Sequence, residues 1–345
     1  MKCFVTGGTG QVGTNLVKHL VKEIVDSPKD VVCLVRTPEK ANHLQNLNVT
    51  IVQGNLTEKS KIRSIFKEHN IDVVFHVGAI SDPSMDEDLI FSTNIDGSKV
   101  MLDAFAESDA HCFVFASSIS VYDSYIKTNG KKLTEQEPTG SLTDGDAYAR
   151  SKRTVEEEIR KMQSLHKNKS FKIARIGPIA GTHDRIVIPK LIAIMAKKSL
   201  PKLINKGKLK MSIVAPEDVA RGMVFIAQNS TKVPDTVYNV TGEMVTFKEL
   251  FDSVATYYDI RKPTFSVPLW FFKMLRPVMW LTRTLMPKNE FIKLVFSETA
   301  LAFFSHNFDY DRSKIEALGF EFLYTPLQSI QRGIELMDPN KELIS

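Results

Sequence analysis

The sequence predicts an α/β fold built on a doubly wound parallel sheet, and three observations lead to this prediction. Short β-branched runs alternate with longer amphipathic stretches through the first half of the chain, as they do in successive βαβ units. Runs such as Val73-Val74-Phe75 are apolar on both faces, which is typical of strands covered by helices on each side. A glycine-rich turn directly follows the first run. The second half is less regular, and we expect it to form a smaller lobe.

The elements of the first half are predicted in strict alternation. Strands are short runs rich in Val, Ile and Phe, whereas helices are longer stretches in which apolar residues recur every three or four positions. The predicted strands are Lys2–Thr6, Val31–Val35, Val49–Gln53, Val73–Val77, His111–Ala116 and Lys172–Ile176. The predicted helices are Val12–Val25, Lys59–His69, Thr93–Ser108 and Tyr148–His166.

The second half contains fewer clear elements. The predicted helices are Ile186–Lys198, Pro216–Gln228 and Pro326–Met337, and the predicted strands are Lys210–Val214 and Val237–Val240. We expect residues 1–180 to form the sheet domain, with residues 211–240 returning to it. Residues 181–345 are expected to form mainly the C-terminal lobe.

Composition excludes several classes of protein. The chain has 345 residues, of which 43% are apolar and 25% charged, so neither disorder nor a fibrous fold is expected. Its three cysteines lie in apolar runs, as reduced core thiols of a cytoplasmic protein do. No Cys/His group has metal-ligand spacing, so no metal is expected. No run without Lys, Arg, Asp or Glu exceeds seventeen residues, which is too short to span a bilayer, and we expect no secretory signal.

The net charge of +5 is unevenly distributed along the chain. Residues 185–210 contain eight Lys/Arg and no acid, and residues 261–296 contain seven Lys/Arg and one acid. This pattern indicates an anionic substrate or surface near the second half, and solvated helix faces are the alternative. Nucleic acid is not an expected partner, because neither segment has a helix-turn-helix or aromatic-interleaved pattern.

The glycine-rich turn carries the first chemical signal. It reads Thr6-Gly7-Gly8-Thr9-Gly10-Gln11-Val12-Gly13, a G-x-x-G-x-x-G spacing between strand and helix. Glycines at this point let the backbone approach a pyrophosphate at the helix N-terminus. A dinucleotide site of the Rossmann type is therefore predicted, and a turn without ligand is the alternative. The predicted contacts are Gly7, Thr9, Gly10, Gln11, Val12 and Gly13.

The end of the second strand bears on the choice of cofactor. Leu34-Val35-Arg36 places an Arg where an NAD-binding fold usually has an acid for the ribose 2′-hydroxyl. A guanidinium suits the additional 2′-phosphate of NADP. We therefore expect NADP rather than NAD, with Arg36 as its contact.

Three residues are predicted to carry the reaction. Ser118 ends the fifth strand, and Tyr148 and Lys152 begin a helix four residues apart, so that both side chains share one helix face. A free tyrosine has a pKa near 10, but a nearby ammonium and the positive nicotinamide ring favour the phenolate. The Tyr-x-x-x-Lys spacing alone is weak, because it recurs at Tyr258/Lys262 and Tyr310/Lys314.

These motifs together resemble the extended short-chain dehydrogenases/reductases, the NAD-dependent epimerase/dehydratase superfamily, across nearly the whole chain. The matching pieces are residues 6–13, Gly54-Asn55-Leu56, His76-Val77-Gly78-Ala79, Asn94, Ser117-Ser118, Val121-Tyr122, Tyr148, Lys152, Arg175 and Pro178. The resemblance implies a Rossmann-type sheet, a smaller C-terminal substrate-binding lobe and hydride transfer between substrate and NAD(P). Ser118 then hydrogen-bonds the substrate oxygen, Tyr148 exchanges its proton and Lys152 also holds the nicotinamide ribose.

The resemblance also implies which other residues contact the cofactor. These are Asn55 and Leu56 at the adenine, Val77, Gly78 and Ala79 along the pyrophosphate path, Asn94 supporting the active site, and Pro178 and Ile179 near the nicotinamide. Two positions depart from the usual pattern, since Asn55 replaces an Asp and Gly78 replaces an Ala. Both changes are expected to be mild.

The substrate is predicted from what the chain lacks and from one apolar segment. Ile119-Ser120 stand where dehydratases of the family usually carry an Asp-Glu pair, which argues against dehydration. Residues 268–283 contain both tryptophans, together with Lys273, Arg276 and Arg283. This segment is expected to line an apolar pocket, or to make peripheral membrane contact.

The leading hypothesis is therefore a secondary alcohol/ketone oxidoreductase acting on a hydrophobic, sterol- or terpenoid-like molecule, closest in character to the 3β-hydroxysteroid dehydrogenase-like and ketone reductase branch. A nucleotide-sugar 4-epimerase is the alternative. A non-catalytic dinucleotide-binding scaffold or sensor is a third hypothesis, disfavoured by the three reactive side chains. A homodimer and association with a membrane remain open.

Overall fold

The computed structural model describes residues 1–82, 85–123, 131–143, 145–196, 203–232, 236–268, 270 and 309–344. Its centre is a seven-stranded sheet in the order β3-β2-β1-β4-β5-β6-β9, in which every neighbouring pair is parallel. The strands are β1 Cys3–Thr6, β2 Val31–Val35, β3 Thr50–Gln53, β4 Val73–His76, β5 Cys112–Ser118, β6 Ser170–Ile176 and β9 Val237–Val240.

Helices cover both faces of this sheet. They are α1 Gln11–His19, α2 Asn42–Gln45, α3 Lys59–His69, α4 Glu87–Phe91, α5 Gly97–Ala106, α6 Ala147–Leu165 and α8 Pro216–Gln228. Successive residues of β1 alternate between two cores: Val5 packs with Leu16 of α1 on one face, and Phe4 packs with Ile62 of α3 on the other. This explains why the strands are apolar throughout.

The direction of chain winding reverses between β1 and β4. The chain moves from β1 outward to β3 and then returns to β4 on the other side of β1. In sheets of this kind, ligands bind at this point, outside the carboxyl ends of the strands. The glycine turn after β1 and the segments after β4 and β5 therefore meet at one edge of the sheet.

The remaining described elements form a smaller body with its own core. They are α7 Val187–Ala196, α9 Phe247–Tyr257, α10 Ser313–Glu316, α11 Pro326–Met337, and the strands β7 Leu203–Ile204, β8 Lys210–Ser212, β10 Met244–Thr246 and β11 Ser266–Val267. Ile188, Leu250, Val254 and Ile334 pack together in this core. Two short sheets, β8 with β10 and β7 with β11, accompany it.

The predicted parallel sheet is confirmed, with differences at the element boundaries. The helix expected at Thr93–Ser108 begins at Glu87 and contains a π-helical turn at Ser92–Asp96. Helix α1 ends at His19 and continues as a π-helical turn to Ile24. Helix α9 was not predicted, although Thr246 and Glu249 form a capping box at its start.

The described residues also bear on the expectations about cysteines, metal sites and membrane spans. The three cysteines are buried and free, as predicted. Within the described ranges, no group of three or more His, Cys, Asp or Glu side chains is arranged to hold a metal ion. No helix in the same ranges is long and apolar enough to cross a membrane. Of the aromatic segment 268–283, only Pro268 and the exposed Trp270 lie among the described residues.

Candidate active site

The glycine turn is built so that only glycine fits at two of its positions. Gly7 has a φ of +71°, and a Cβ there would lie 2.7 Å from the Gly78 backbone, so the first turn lies directly against the segment after β4. A Cβ on Gly13 would overlap the carbonyl oxygen of Gly7. These contacts hold the first turn of α1 close to the end of β1.

The N-terminus of α1 fits the pyrophosphate of a dinucleotide. Its N-cap residue, the exposed Gly10, makes no side-chain cap, and the first turn contains no acid. The N–H groups of the first turn, Gln11, Val12 and Gly13, therefore receive no side-chain cap from Gly10 and lie at the positive end of the helix dipole. The side chain of Gln11 donates to the carbonyl of Thr182 at 3.3 Å, so it is engaged by the loop after β6.

The other predicted cofactor contacts lie around the same edge. Arg36 follows β2 and is exposed. Asn55 is also exposed, and its backbone N–H donates to Glu58 at 2.8 Å, whereas Leu56 is buried against Gly97 of α5. Leu56 thus packs against α5 near the carboxyl ends of the strands.

The segment after β4 is held by Asn94. The Asn94 side chain accepts from the backbone N–H of Ile80 at 2.8 Å and donates to its carbonyl at 3.0 Å. The same amide donates to Ser151 at 3.0 Å, and Ser151 lies between Tyr148 and Lys152 on α6. Buried Asn94 therefore joins the loop containing Val77, Gly78 and Ala79 to the helix that carries the proposed proton donor.

Sequence reasoning missed a chain of hydrogen bonds through His76. Gly78 N–H donates to Thr6 Oγ1 at 3.0 Å, and Thr6 Oγ1 lies 2.8 Å from His76 Nδ1. His76 Nε2 lies 2.8 Å from Ser98 Oγ, which donates to the Asn94 carbonyl. Since Ser98 uses its proton for that carbonyl, Nε2 carries the ring hydrogen and Nδ1 accepts from Thr6.

Burial lowers the pKa of His76 to about 3, and the nearby Lys152 acts in the same direction. The neutral ring thus serves as a connector that orders the glycine turn relative to Asn94. Its position in the motif His76-Val77-Gly78-Ala79 was visible, but its partners come from distant segments.

Ser118, Tyr148 and Lys152 meet where β5 ends and α6 begins. Asp146 caps α6 by accepting from the Ala149 N–H at 2.8 Å, which sets the start of this helix. The Tyr148 hydroxyl is hydrogen-bonded to Ser118. The Lys152 ammonium donates to the Ala116 carbonyl at 2.6 Å and lies 5.6 Å from the centre of the Tyr148 ring.

The pKa of Tyr148 differs from the expectation that the nearby ammonium would lower it. Burial raises the pKa of Tyr148 to about 12, although the Ser118 hydrogen bond acts in the opposite direction. Burial lowers the pKa of Lys152 to about 7, opposed by the charge of Glu156. The protein groups alone therefore do not lower the tyrosine pKa, because desolvation outweighs the single hydrogen bond.

A buried ion pair below the site also escaped prediction. Glu156, one turn beyond Lys152, binds Arg175 through two contacts at 3.0 and 2.8 Å and accepts from Ser117 at 2.6 Å. Both ions are almost fully buried. They connect α6, the end of β5 and β6, so they hold the elements that carry Ser118 and Tyr148 in register.

Pro178 and Ile179 follow β6 and contact Val214, which precedes α8. Val214 donates to the Pro178 carbonyl at 2.9 Å, and Ile179 forms a bridge with Val214. The loop after β6 is thereby tied to the segment that leads into α8.

Comparison with known proteins places these features in a family. The sequence profile of the NAD dependent epimerase/dehydratase family matches residues 3–241. A UDP-glucose 4-epimerase of Drosophila melanogaster is 28% identical over 45% of this chain and 47% of its own length, so the match spans just under half of that relative. A sterol-4-alpha-carboxylate 3-dehydrogenase (decarboxylating) of Mus musculus is 22% identical over 97% of this chain and 90% of its own.

A solved structure shows the same fold. The Thermus thermophilus UDP-glucose 4-epimerase in complex with NAD superposes with a TM-score of 0.73 at 19% identity, covering 99% of this chain and 100% of that one. The likeness therefore extends through the smaller body as well as the sheet.

Proposed function

We propose that this chain, which belongs to the NAD-dependent epimerase/dehydratase family, interconverts a secondary alcohol and a ketone on a hydrophobic, sterol- or terpenoid-like molecule. Family membership makes it an extended short-chain dehydrogenase/reductase, and hence an enzyme rather than a scaffold. The observation that carries the proposal is the meeting of Ser118, Tyr148 and Lys152 at one strand end.

NAD(P), when bound, supplies the hydride acceptor or donor of the reaction. The residues that would hold it are the glycine turn and the segments after β2, β4 and β6, because these share one edge of the sheet. The uncapped start of α1 would neutralise the pyrophosphate. Asn94 and His76 keep the turn and the loop after β4 in fixed relation.

The proton step is assigned to Tyr148. Ser118 donates a hydrogen bond to the substrate oxygen, and the Tyr148 phenol gives a proton to that oxygen or takes one from it. Lys152 lies within reach of the tyrosine ring and adds positive charge when protonated. Since burial leaves the pKa of Tyr148 high, the positive nicotinamide of the oxidised cofactor, when bound, would supply the charge that stabilises the phenolate.

Two observations favour a hydrophobic substrate. The match to the mouse sterol dehydrogenase covers nearly the whole chain, whereas the match to the fly epimerase covers less than half. Phe265 and Trp270 expose 71% and 67% of their surface and lie close together in sequence. An apolar ligand that covered these side chains would be stabilised by removing their surface from water.

Nucleotide-sugar 4-epimerisation is the second candidate. The fly epimerase has the higher identity of the two relatives, and the basic segment 185–210 would suit a sugar diphosphate. An epimerase returns the hydride to its substrate, so its cofactor shows no net change.

Net cofactor conversion therefore separates the candidates. We expect the purified protein to convert NADP(H) in step with a cyclic hydrophobic alcohol or ketone, measured at the absorbance of the reduced nicotinamide. Tyr148→Phe serves as the control for background oxidation. Interconversion of UDP-sugar epimers with no net cofactor change would favour the second candidate instead.

Cofactor choice is tested at the end of β2. If Arg36 contacts a 2′-phosphate, Arg36→Asp should weaken NADPH binding about ten- to a hundred-fold, the range of one charge-assisted contact. NADH binding should improve or stay level. Equal affinities of the parent protein for NADH and NADPH would overturn the assignment.

A further inference from the structure

A cavity of about 340 Å³ lies beside the glycine turn, and its walls come from separate parts of the chain. Thr9 and Gly10 form the side next to the turn, and His43 of α2 forms another. His183 and Arg185 reach it from the loop before α7, and apolar residues of α11 complete it. Arg36 is not among its lining residues.

The hydrogen bonds of His43 determine which of its ring nitrogens takes up a second proton. Its Nε2 lies 3.1 Å from Thr14 Oγ1, and Thr14 donates its own proton to the Gly8 carbonyl at 3.3 Å. Nε2 therefore carries a hydrogen, and Nδ1 is the atom that takes up the second proton. Burial lowers the pKa of His43, and Arg185 and Lys18 act in the same direction, opposed by a hydrogen bond to the Gly8 carbonyl.

His183 is likewise committed at one ring nitrogen. The Lys18 ammonium lies 2.7 Å from its Nε2, and an ammonium can only donate. Nδ1 of the neutral ring therefore carries the hydrogen and is a donor. His183 also has a φ of +58°, which is uncommon for a residue with a side chain.

Two acids lie near these groups, and one of them, Asp184, also lines the cavity. Asp184 is buried and accepts from the N–H groups of Ile186, Val187 and Ile188 at the start of α7. Glu217 of α8 offsets part of the positive charge around His183, but its Oε1 accepts from Thr182 and Arg332. The cations Lys18, Arg185 and Arg332, the last of which is bonded to Glu217, exceed the two acids by one charge. The two imidazoles add ring N–H donors at the cavity wall.

We propose that this cavity binds a phosphate monoester dianion, which His43, His183 and Arg185 hold against the glycine turn. Its position favours the 2′-phosphate of NADP as the source, and a free phosphorylated ligand would use the same chemistry. The inference rests on the proposed function in one respect, that a dinucleotide binds at the turn. Cofactor discrimination would then come from α2 and the loop before α7, in addition to the end of β2.

Histidine makes this discrimination depend on pH. Burial lowers the pKa of His43 in the free protein, whereas a bound phosphate dianion favours the protonated imidazolium. Binding therefore takes up a proton at Nδ1, so NADPH should bind more tightly as pH falls from about 8 to about 6.5. The second pKa of a phosphate monoester is about 6, so the dianion still predominates at the lower pH. NADH lacks the group, and its affinity should change little over this range.

The test measures the binding of NADPH and NADH by fluorescence titration of the whole protein at the two pH values. His43→Gln and Arg185→Gln should each weaken NADPH binding about tenfold at the lower pH, the loss of one charge-assisted contact, with NADH affinity within about twofold of the parent. His43→Gln should also flatten the pH dependence for NADPH. Lys190→Gln removes a charge from α7 outside the cavity and should leave both affinities nearly unchanged.

Inorganic phosphate identifies the source. Suppose that inorganic phosphate binds His43→Gln and Arg185→Gln weakly and that NADPH displaces it from the parent protein. The 2′-phosphate then occupies the cavity. If His43→Gln and Arg185→Gln weaken phosphate but not NADPH, a free phosphorylated ligand is the occupant. The proposal fails if the variants change neither, or if they weaken NADH as much as NADPH. Absence of any dinucleotide binding would instead count against the proposed function, and the phosphate titration would still test the cavity.

Discussion

The start of α6 and the segment leading into α10 share the Tyr-x-x-x-Lys spacing but use it differently. In α6, the buried Lys152 ammonium donates a hydrogen bond to the Ala116 carbonyl, and the Tyr148 hydroxyl is hydrogen-bonded to Ser118. In the second region, the Tyr310 ring packs against Tyr122 at 5.8 Å. Lys314 donates to the carbonyl of Val237 at 2.7 Å.

The third occurrence is different again. The Tyr258 hydroxyl donates to the Asp338 carboxylate at 2.7 Å in the core of the smaller body. The comparison shows that the spacing does not define the chemistry. A second hydroxyl beside the phenol and a desolvated ammonium distinguish the α6 pair from both others.

The largest effect expected from this distinction is on kcat. Tyr148→Phe should lower kcat by about 10²–10⁴, the usual contribution of general acid–base catalysis, while cofactor affinity stays close to that of the parent. Tyr310→Phe is the matched control and should keep kcat within about twofold. Comparable losses in both variants would remove the distinction.

A second test compares buried and exposed carboxylates near the two regions. Glu156→Gln leaves the buried Arg175 without its ionic partner, so the free energy of unfolding should fall by about 3–5 kcal/mol. Glu316→Gln removes the partly exposed partner of Arg312, and its effect should stay below about 1 kcal/mol. Denaturant titration measures the free energy of unfolding of both variants. Similar losses would show that burial does not make the Glu156–Arg175 pair more stabilising than the exposed pair.

The buried ammonium predicts a dependence of stability on pH. Because burial lowers the pKa of Lys152 from 10.5 to about 7, the unfolded state binds more protons between these values, and stability rises with pH across this window. Each pH unit there contributes at most about 1.4 kcal/mol. Lys152→Met should lose this rise above about pH 7, whereas Lys314→Met retains Lys152 and should show it. A parallel pH profile for Lys152→Met and the parent would contradict the assignment.

The smallest expected effect concerns the third pair. Tyr258→Phe removes a hydrogen bond to a carboxylate and should lower the free energy of unfolding by about 1–2 kcal/mol. Turnover should be unchanged, because this hydroxyl lies in the core of the smaller body. A loss of kcat with no loss of stability would assign Tyr258 a role in catalysis.

The order of strands and helices in the sheet followed from the sequence because it depends on local pattern. Apolar runs without polar alternation specify buried parallel strands, and the helix bounds Lys59–His69, Pro216–Gln228 and Pro326–Met337 agree with the structure at both ends. Helix α9 was missed although its capping box is local and its buried residues Leu250, Phe251, Val254 and Ala255 recur at helical spacing.

The sequence by itself determined the parallel sheet, the glycine turn and the position of Tyr148 at the start of a helix, since each depends on neighbours in the chain. Only the tertiary structure decided the partners of His76, the pairing of Glu156 with Arg175 and the cavity around His43 and His183. These contacts join residues that lie far apart in sequence, such as Thr6 and His76, which are 70 residues apart. Burial then set the pKa values of Tyr148 and Lys152, because desolvation depends on everything that surrounds a group and not on its neighbours in the chain.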